Sequence, residues 1–324
     1  MADYKGIHGG KVQNFSTNPP APIAGQVWYN ETTATINYFS SNPTGSWAAG
    51  NNMNTARRQI AGAGIQTSAL VFGGYSTAKE DKAESYNGTN WTEVGDLNGA
   101  KNLLAGCGAS NTSALAFGGL LAPPEAVDET ESWNGTAWTE VADLNTAGRS
   151  FHGAGTATAA LATGGYVGGA VDETESWNGT SWTEVADLNT GRWVLAAAGI
   201  STSALAFGGQ PGSGITGDTE SWNGSTWTEV ANLNTDRSNH GGLGANNTAV
   251  LCFGGTDELT AATEKWNGTS WAEVNDLNTA RAGTLRGAGT TTAGLAFGGY
   301  TTAASASTEE WNEPVEATKS VDTD

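Results

Sequence analysis

Six acids and six bases recur along this 324-residue chain at a common interval, and they are the first candidates for chemistry. The acids are Glu84, Glu131, Glu175, Glu220, Glu264 and Glu309, each two places before an aromatic residue. The bases are Arg57, Lys101, Arg149, Arg192, Arg237 and Arg281. A ring of bases could grip an anion. One acid per base favours a repeated structural ion pair instead, because a buried charge needs a partner. His152 and His240 each lie three places beyond an arginine, in units that are not neighbours, and His8 is near the start. Metal binding needs such groups to converge with carboxylates, so no metal site is expected. Cys107 and Cys252 fall in different units, so no disulfide framework is expected, and neither forms a Cys-x-x-Cys pair. The Asn-Gly-Thr/Ser triplets at Asn87, Asn134, Asn178, Asn223 and Asn267 have the form of glycosylation acceptors, yet a tight turn requires Asn-Gly on its own account. No His-Glu-x-x-His, Gly-x-Ser-x-Gly or phosphate loop occurs. The acids recur at fixed repeat positions, whereas catalysis needs residues that break the repeat. No enzymatic activity and no cofactor are expected.

The elements that carry these residues follow from one stretch, TESWNGTSWTEVADLNTGR at 174–192. Two short runs of β-branched and aromatic residues flank Asn178-Gly179, which predicts a hairpin with a type I′ turn. An apolar run ending in Gly-Gly and a small-residue strand precede each hairpin, giving four strands per unit. The Gly-Gly pairs begin at Gly73, Gly118, Gly164, Gly208, Gly254 and Gly298, and the second tryptophans are Trp47, Trp91, Trp138, Trp182, Trp227 and Trp271. Four strands every ~40–50 residues is the pattern of propeller blades.

Charge narrows the partners. Fourteen Lys and Arg against 33 Asp and Glu give a net charge of −19, with no basic stripe, which disfavours nucleic acid and anionic membranes. No apolar run reaches the ~18 residues of a membrane span, and the start lacks the apolar core of a signal peptide, so no membrane insertion is expected.

We read residues 1–24 as an extended arm, 25–44 as a β-hairpin module, 45–312 as the propeller and 313–324 as an acidic tail. Small-residue inner strands occur around Gly62, Gly106, Gly153, Ala197, Gly242 and Gly287, which sets six blades. The last unit lacks a fourth strand after Asn312, and the N-terminal strand at Trp47 would complete it and remove two open edges. Seven blades, with the hairpin at 25–44 as a partial blade, is the alternative.

The Gly-Gly pairs and the spaced aromatics, Trp177 and Trp182 in the clearest copy, resemble kelch repeats over about residues 45–312. The first aromatic departs from that pattern, being Tyr only at Tyr86 and Trp at Trp133, Trp177, Trp222, Trp266 and Trp311. The near-identical copies and the opening GQVWYN hairpin are similar to repeat proteins encoded by marine bacteriophages. That resemblance implies a virion-associated structural or accessory protein, displayed as a capsid decoration or on the tail, assembled in the host cytoplasm and docked through its arms. Its partners would be other virion proteins or a host-surface molecule. Trp28, Tyr29 and Tyr38 are the candidate docking residues. Ser221–Trp227 is similar to the Asp-box hairpin of sialidases but shorter by one residue and with Asn for Asp, and the hairpin explains the likeness without catalysis.

Copies within the chain differ mainly in the loops after Gly-Gly and just beyond the linker bases. These differences collect at one face, at the mouth of the central channel, where propellers carry ligand-binding loops. The candidate binding face is Gln59, Leu103, Phe151, His152, Trp193, Asn239 and His240, with Trp193 and Phe151 expected to be exposed contacts. Three readings follow: a virion structural protein, a glycan- or protein-binding module, and a polysaccharide hydrolase, the last disfavoured.

Overall fold

The hairpin at 174–184 shows why the repeat takes its form. Thr174–Trp177 and Trp182–Glu184 pair antiparallel with Trp177 opposite Trp182. The loop between them has four residues, and only Gly179 adopts positive φ, at 94°. Asn178 instead folds its side chain over the turn, Oδ1 accepting the N–H groups of Thr180 at 2.9 Å and Ser181 at 3.0 Å. The expected type I′ turn is therefore corrected: Asn serves as a side-chain cap of the loop, a role that leaves its own φ ordinary.

The computed structural model describes residues 12–19, 26–40, 45–121, 125–256, 259–313 and 317–321. Among them the chain is all-β, with seven four-stranded sheets and one two-stranded sheet, and it divides into two compact units. The larger unit, Ser46–Asn312, contains six four-stranded antiparallel sheets and is propeller-like.

Sheets I to VI have as innermost strands Ala61–Ile65, Ala105–Ser110, His152–Thr156, Ala196–Ile200, Gly241–Asn246 and Arg286–Gly289. Each is followed outward by the Gly-Gly strand and the tryptophan hairpin, as in Ser203–Phe207, Thr219–Trp222 and Trp227–Val230 of sheet IV. In sheet VI the outermost strand is Ser46–Ala49, which pairs with Thr308–Asn312 and sets Trp47 opposite Trp311.

Core packing lies between sheets. Each hydrophobic cluster joins two successive sheets, and one joins VI to I through Ile60, Trp91, Leu295 and Phe297. The two tryptophans of a hairpin divide the work. Trp177 donates its indole N–H to Ala157 O in its own sheet at 3.1 Å, while Trp182 reaches Thr130 Oγ1 of sheet II at 3.0 Å and packs edge-on to Phe117 with centroids 4.9 Å apart. Such aromatic pairs add about 0.5–1.5 kcal/mol beyond their buried area. Inner strands must be small because the neighbouring sheet's phenylalanine lies across them: a Cβ on Gly106 would come within 2.4 Å of Phe72 Cζ.

The smaller unit comprises Met1–Gly45 and Glu313–Asp324. Its sheet runs Gln13–Phe15, Val27–Asn30, Thr35–Ser40 and Ala317–Val321, the first pair parallel and the others antiparallel. Residues 13–15 and 317–321, assigned above to an extended arm and a tail, are thus strands. A hairpin alone has two open edges, and these segments cover both. Residues 1–11, His8 included, and 20–24 of the arm, and 314–316 and 322–324 of the tail, lie outside the described residues.

Candidate functional site

The recurring acids and bases meet inside the sheets. Arg237 Nη2 donates to Glu264 Oε1 at 2.6 Å, and its Nη1 donates to Ala262 O at 3.0 Å. Glu264 Oε2 accepts both the backbone and side-chain N–H of Asn234 at 2.8 Å. Arg57–Glu84, Lys101–Glu131, Arg192–Glu220 and Arg281–Glu309 repeat the arrangement at 2.8, 2.9, 2.8 and 3.0 Å. All ten side chains of these pairs are at most 4 % exposed. Burial lowers the pKa of Arg57, Arg192 and Arg281, and the facing glutamates oppose that shift.

Arg149 is not a member of this set. The fourth residue after Leu144 is Gly148, so sheet III has no linker base, and Glu175 is held by the Asn145 backbone and side-chain N–H groups at 2.9 and 2.6 Å. Phe151 takes up the space, its Cζ lying 2.4 Å from where a Cβ on Gly148 would be. Phe151 is consequently buried in the core between sheets II and III and is not an exposed contact.

Gln59, Leu103 and Asn239 share one conformation with Ser150, Val194 and Thr284, all having φ between 48° and 57°. Positive φ costs a non-glycine residue about 1–3 kcal/mol and persists only where its surroundings impose it. A belt of backbone bonds imposes it here. Gln59 donates to Gly283 O at 2.9 Å, Leu103 to Gln59 O at 3.0 Å, Ser150 to Leu103 O at 2.7 Å, Asn239 to Val194 O at 3.0 Å and Thr284 to Asn239 O at 3.2 Å. These residues therefore sit at matching places in successive sheets.

Around the belt, guanidinium groups lie on aromatic faces. Arg149 stacks on Tyr166 at 4.6 Å, and Trp193 meets the same ring edge-on at 5.3 Å. Arg58 lies 5.4 Å from Tyr75 and 5.0 Å from Tyr300. All six side chains are half-buried, Trp193 included, so each ring keeps surface for a ligand while its position is fixed. A cleft of about 400 Å³ is lined by Asn239, Ala282, Gly283 and Tyr300 among others.

The two histidines stand elsewhere. His240 replaces the leucine or isoleucine of Ile60, Leu104, Leu195 and Leu285, and it is fully buried with its ring 5.5 Å from Phe207. Neither ring nitrogen has a well-formed hydrogen bond, the weak pull of the Phe207 carbonyl notwithstanding, and burial pushes its pKa down to about 3. It is a core residue and no part of a binding face. His152 opens the inner strand of sheet III, buried, with Nδ1 donating to Gly153 O at 3.2 Å and a pKa held well below the usual value by burial.

His152 lines a cavity of about 80 Å³ whose walls come from the inner strands of all six sheets. Arg286 lines it too. Its Nε donates to Ile60 O at 2.9 Å and its Nη2 to Leu104 O at 3.2 Å. The sequence reading overlooked Arg286, which stands where the other copies have Ala61, Ala105, His152, Ala196 and Gly241. A charge in a strand otherwise made of small residues was the signal. Tyr75, Tyr166 and Tyr300, each directly after a Gly-Gly pair, were overlooked as well.

In the smaller unit, Trp28 is fully buried and its indole N–H donates to Asn18 Oδ1 at 3.2 Å, so it is not presented for docking. Tyr29 and Tyr38 are half-buried on neighbouring strands. Among the described residues no group of three or more His, Cys, Asp or Glu is placed to hold a metal, and no helix is long and apolar enough to cross a membrane.

No protein-family model matches the chain, and no curated protein matches it significantly.

Proposed function

We propose that residues 46–312 are a closed six-bladed propeller of kelch type, and that the chain is a non-enzymatic accessory protein displayed on a phage particle, where it adheres to host-surface glycans. The pairing of Ser46–Ala49 with Thr308–Asn312 and the core between sheets VI and I support ring closure. The recurring glutamates are engaged in ion pairs or backbone bonds, which leaves them unsuited to proton transfer.

The observation that carries the adhesion reading is the Arg149–Tyr166–Trp193 cluster. Aromatic rings beside a guanidinium offer a sugar both an apolar face and hydrogen-bond donors, and they are held on a rigid scaffold. Replacing Trp193 and Tyr166 together by Ala should lower binding to host cells or to arrayed host polysaccharide at least tenfold, with the fold intact by circular dichroism. Unchanged binding refutes the adhesion role. Mass spectrometry of purified particles tests display separately, and absence of the chain refutes it.

A further inference from the structure

Arg286 differs from the other buried bases in what answers its charge. Arg57, Lys101, Arg192, Arg237 and Arg281 each face a buried glutamate. Arg286 is 5 % exposed, donates to two neutral carbonyls, and has no carboxylate partner among the described residues. Its Nη1 is buried and has no hydrogen-bond partner among the described residues. Removing a cation from water without a counter-ion costs several kcal/mol, and an orphaned donor adds to that.

The cavity beside it suits a small anion. Among the described residues no Asp or Glu lines it, and Arg286 is the one charged lining residue. The remainder is mostly glycine and alanine, in consecutive runs such as Gly62–Gly64 and Gly287–Gly289, so backbone forms the wall. Each inner strand is the last in its sheet, and its unpaired edge presents N–H groups beside C=O groups, of which only the N–H groups suit an anion. A volume of about 80 Å³ is several times the ~10–15 Å³ that admits one water and is too small for a sugar or nucleotide. His152 Nε2, also without a partner, carries a lone pair because Nδ1 holds the proton donated to Gly153 O. It suits a water O–H and not an anion, which leaves the anion to Arg286.

We propose that this cavity is a binding site for a small monovalent inorganic anion of the chloride or nitrate class, held by Arg286 Nη1 and inner-strand N–H groups. The anion supplies the counter-charge that Arg286 lacks, and it occupies a place distinct from the aromatic face.

The test uses the full chain at constant ionic strength, exchanging sodium gluconate for sodium chloride or nitrate. Melting temperature should rise saturably with chloride, by about 5–10 °C at a hundredfold excess over Kd. Arg286→Met should abolish the response, and Arg286→Lys should keep part of it. Should Arg286→Met fail to fold, crystals of the wild-type chain soaked in bromide decide: an anomalous peak within hydrogen-bonding distance of Nη1 is expected. The proposal is overturned by a water without an anion at Nη1, or by a chloride response no different from that to gluconate. An equal response in wild type and Arg286→Met overturns it as well.

Discussion

Ala83→Thr is expected to stabilise the protein, because it would supply one hydrogen bond that the repeat forms everywhere else. In five of the six sheets the outer tryptophan donates its indole N–H to a buried threonine of the preceding sheet. The distances are 3.1 Å for Trp47 to Thr263, 3.0 Å for Trp91 to Thr308, 3.0 Å for Trp182 to Thr130, 3.2 Å for Trp227 to Thr174 and 3.2 Å for Trp271 to Thr219. Trp138 has Ala83 at that place, packs with it in one core cluster, and leaves Nε1 buried without a partner. An orphaned buried donor costs about 1–3 kcal/mol, and a completed bond contributes about 0.5–1.5 kcal/mol. The surroundings already have the required shape, since Phe72 and Trp138 lie 4.8 Å apart, close to the 4.9 Å of Phe117 and Trp182.

Ala83→Val separates the bond from the added bulk, as valine matches threonine in shape and offers no acceptor. If the added methyl crowds the site, both variants lose stability equally. The difference between them should remain about 1 kcal/mol in favour of threonine, or roughly 2–4 °C in melting temperature for a domain of this size. Calorimetry of the two variants beside wild type measures it. A threonine variant no more stable than the valine variant would refute the reasoning.

The buried ion pairs predict an asymmetry between sheets. Glu264→Gln strands the Arg237 charge and should cost about 3–5 kcal/mol in urea unfolding, whereas Glu175→Gln faces no base and should cost only about 1–2 kcal/mol. His240→Leu restores the apolar side chain of the other copies and should stabilise by about 1–3 kcal/mol at neutral pH. The pH dependence has a definite sign. Because its folded-state pKa is depressed to about 3, His240 binds a proton in the unfolded chain first, so stability present above pH ~6.5 is lost as pH falls towards 3. His240→Leu should therefore flatten the melting-temperature profile between pH 7 and pH 4, and an unchanged slope would count against the assignment. Trp47→Ala removes a ring packed 5.0 Å from Phe253 and 5.4 Å from Trp311, and should cost about 3–5 kcal/mol by the same urea measurement.

Regular features were legible in the sequence because period, turn residues and aromatic spacing are local and repeated. The four strands per unit, the small inner strands and the recurrent Arg–Glu pairing all follow from that. The irregular positions were not legible, because each compensates for another across a core. Gly148 has meaning only beside Phe151, and Thr163, where the other sheets have phenylalanine, shares a buried hydroxyl contact of 3.1 Å with Thr174. Reading Arg149 as the linker base slipped the register by one place and moved Phe151 to the surface. Of the candidate face, Gln59, Leu103, Asn239 and Trp193 stand at or beside the belt, while Phe151 and His240 turned inward. A variable residue in a repeat marks either contact with a ligand or repacking against a neighbour, and sequence period alone does not separate the two.

The strand Ser46–Ala49 finds its partner in Thr308–Asn312, more than two hundred residues further along. During synthesis it must wait, with its edge open, until nearly all of the larger unit has emerged, and closing so long a loop gives it the highest entropic cost of any pairing in that unit. Once made, and until its own Ser46–Ala49 has paired, the Thr308–Asn312 edge accepts the same strand from any other copy with identical register. Crowded refolding should consequently trade strands between chains, yielding exchanged dimers and longer chains of copies whose individual sheets are indistinguishable from those of the monomer. Dilution during refolding, and not any change of sequence, is the remedy this pairing implies.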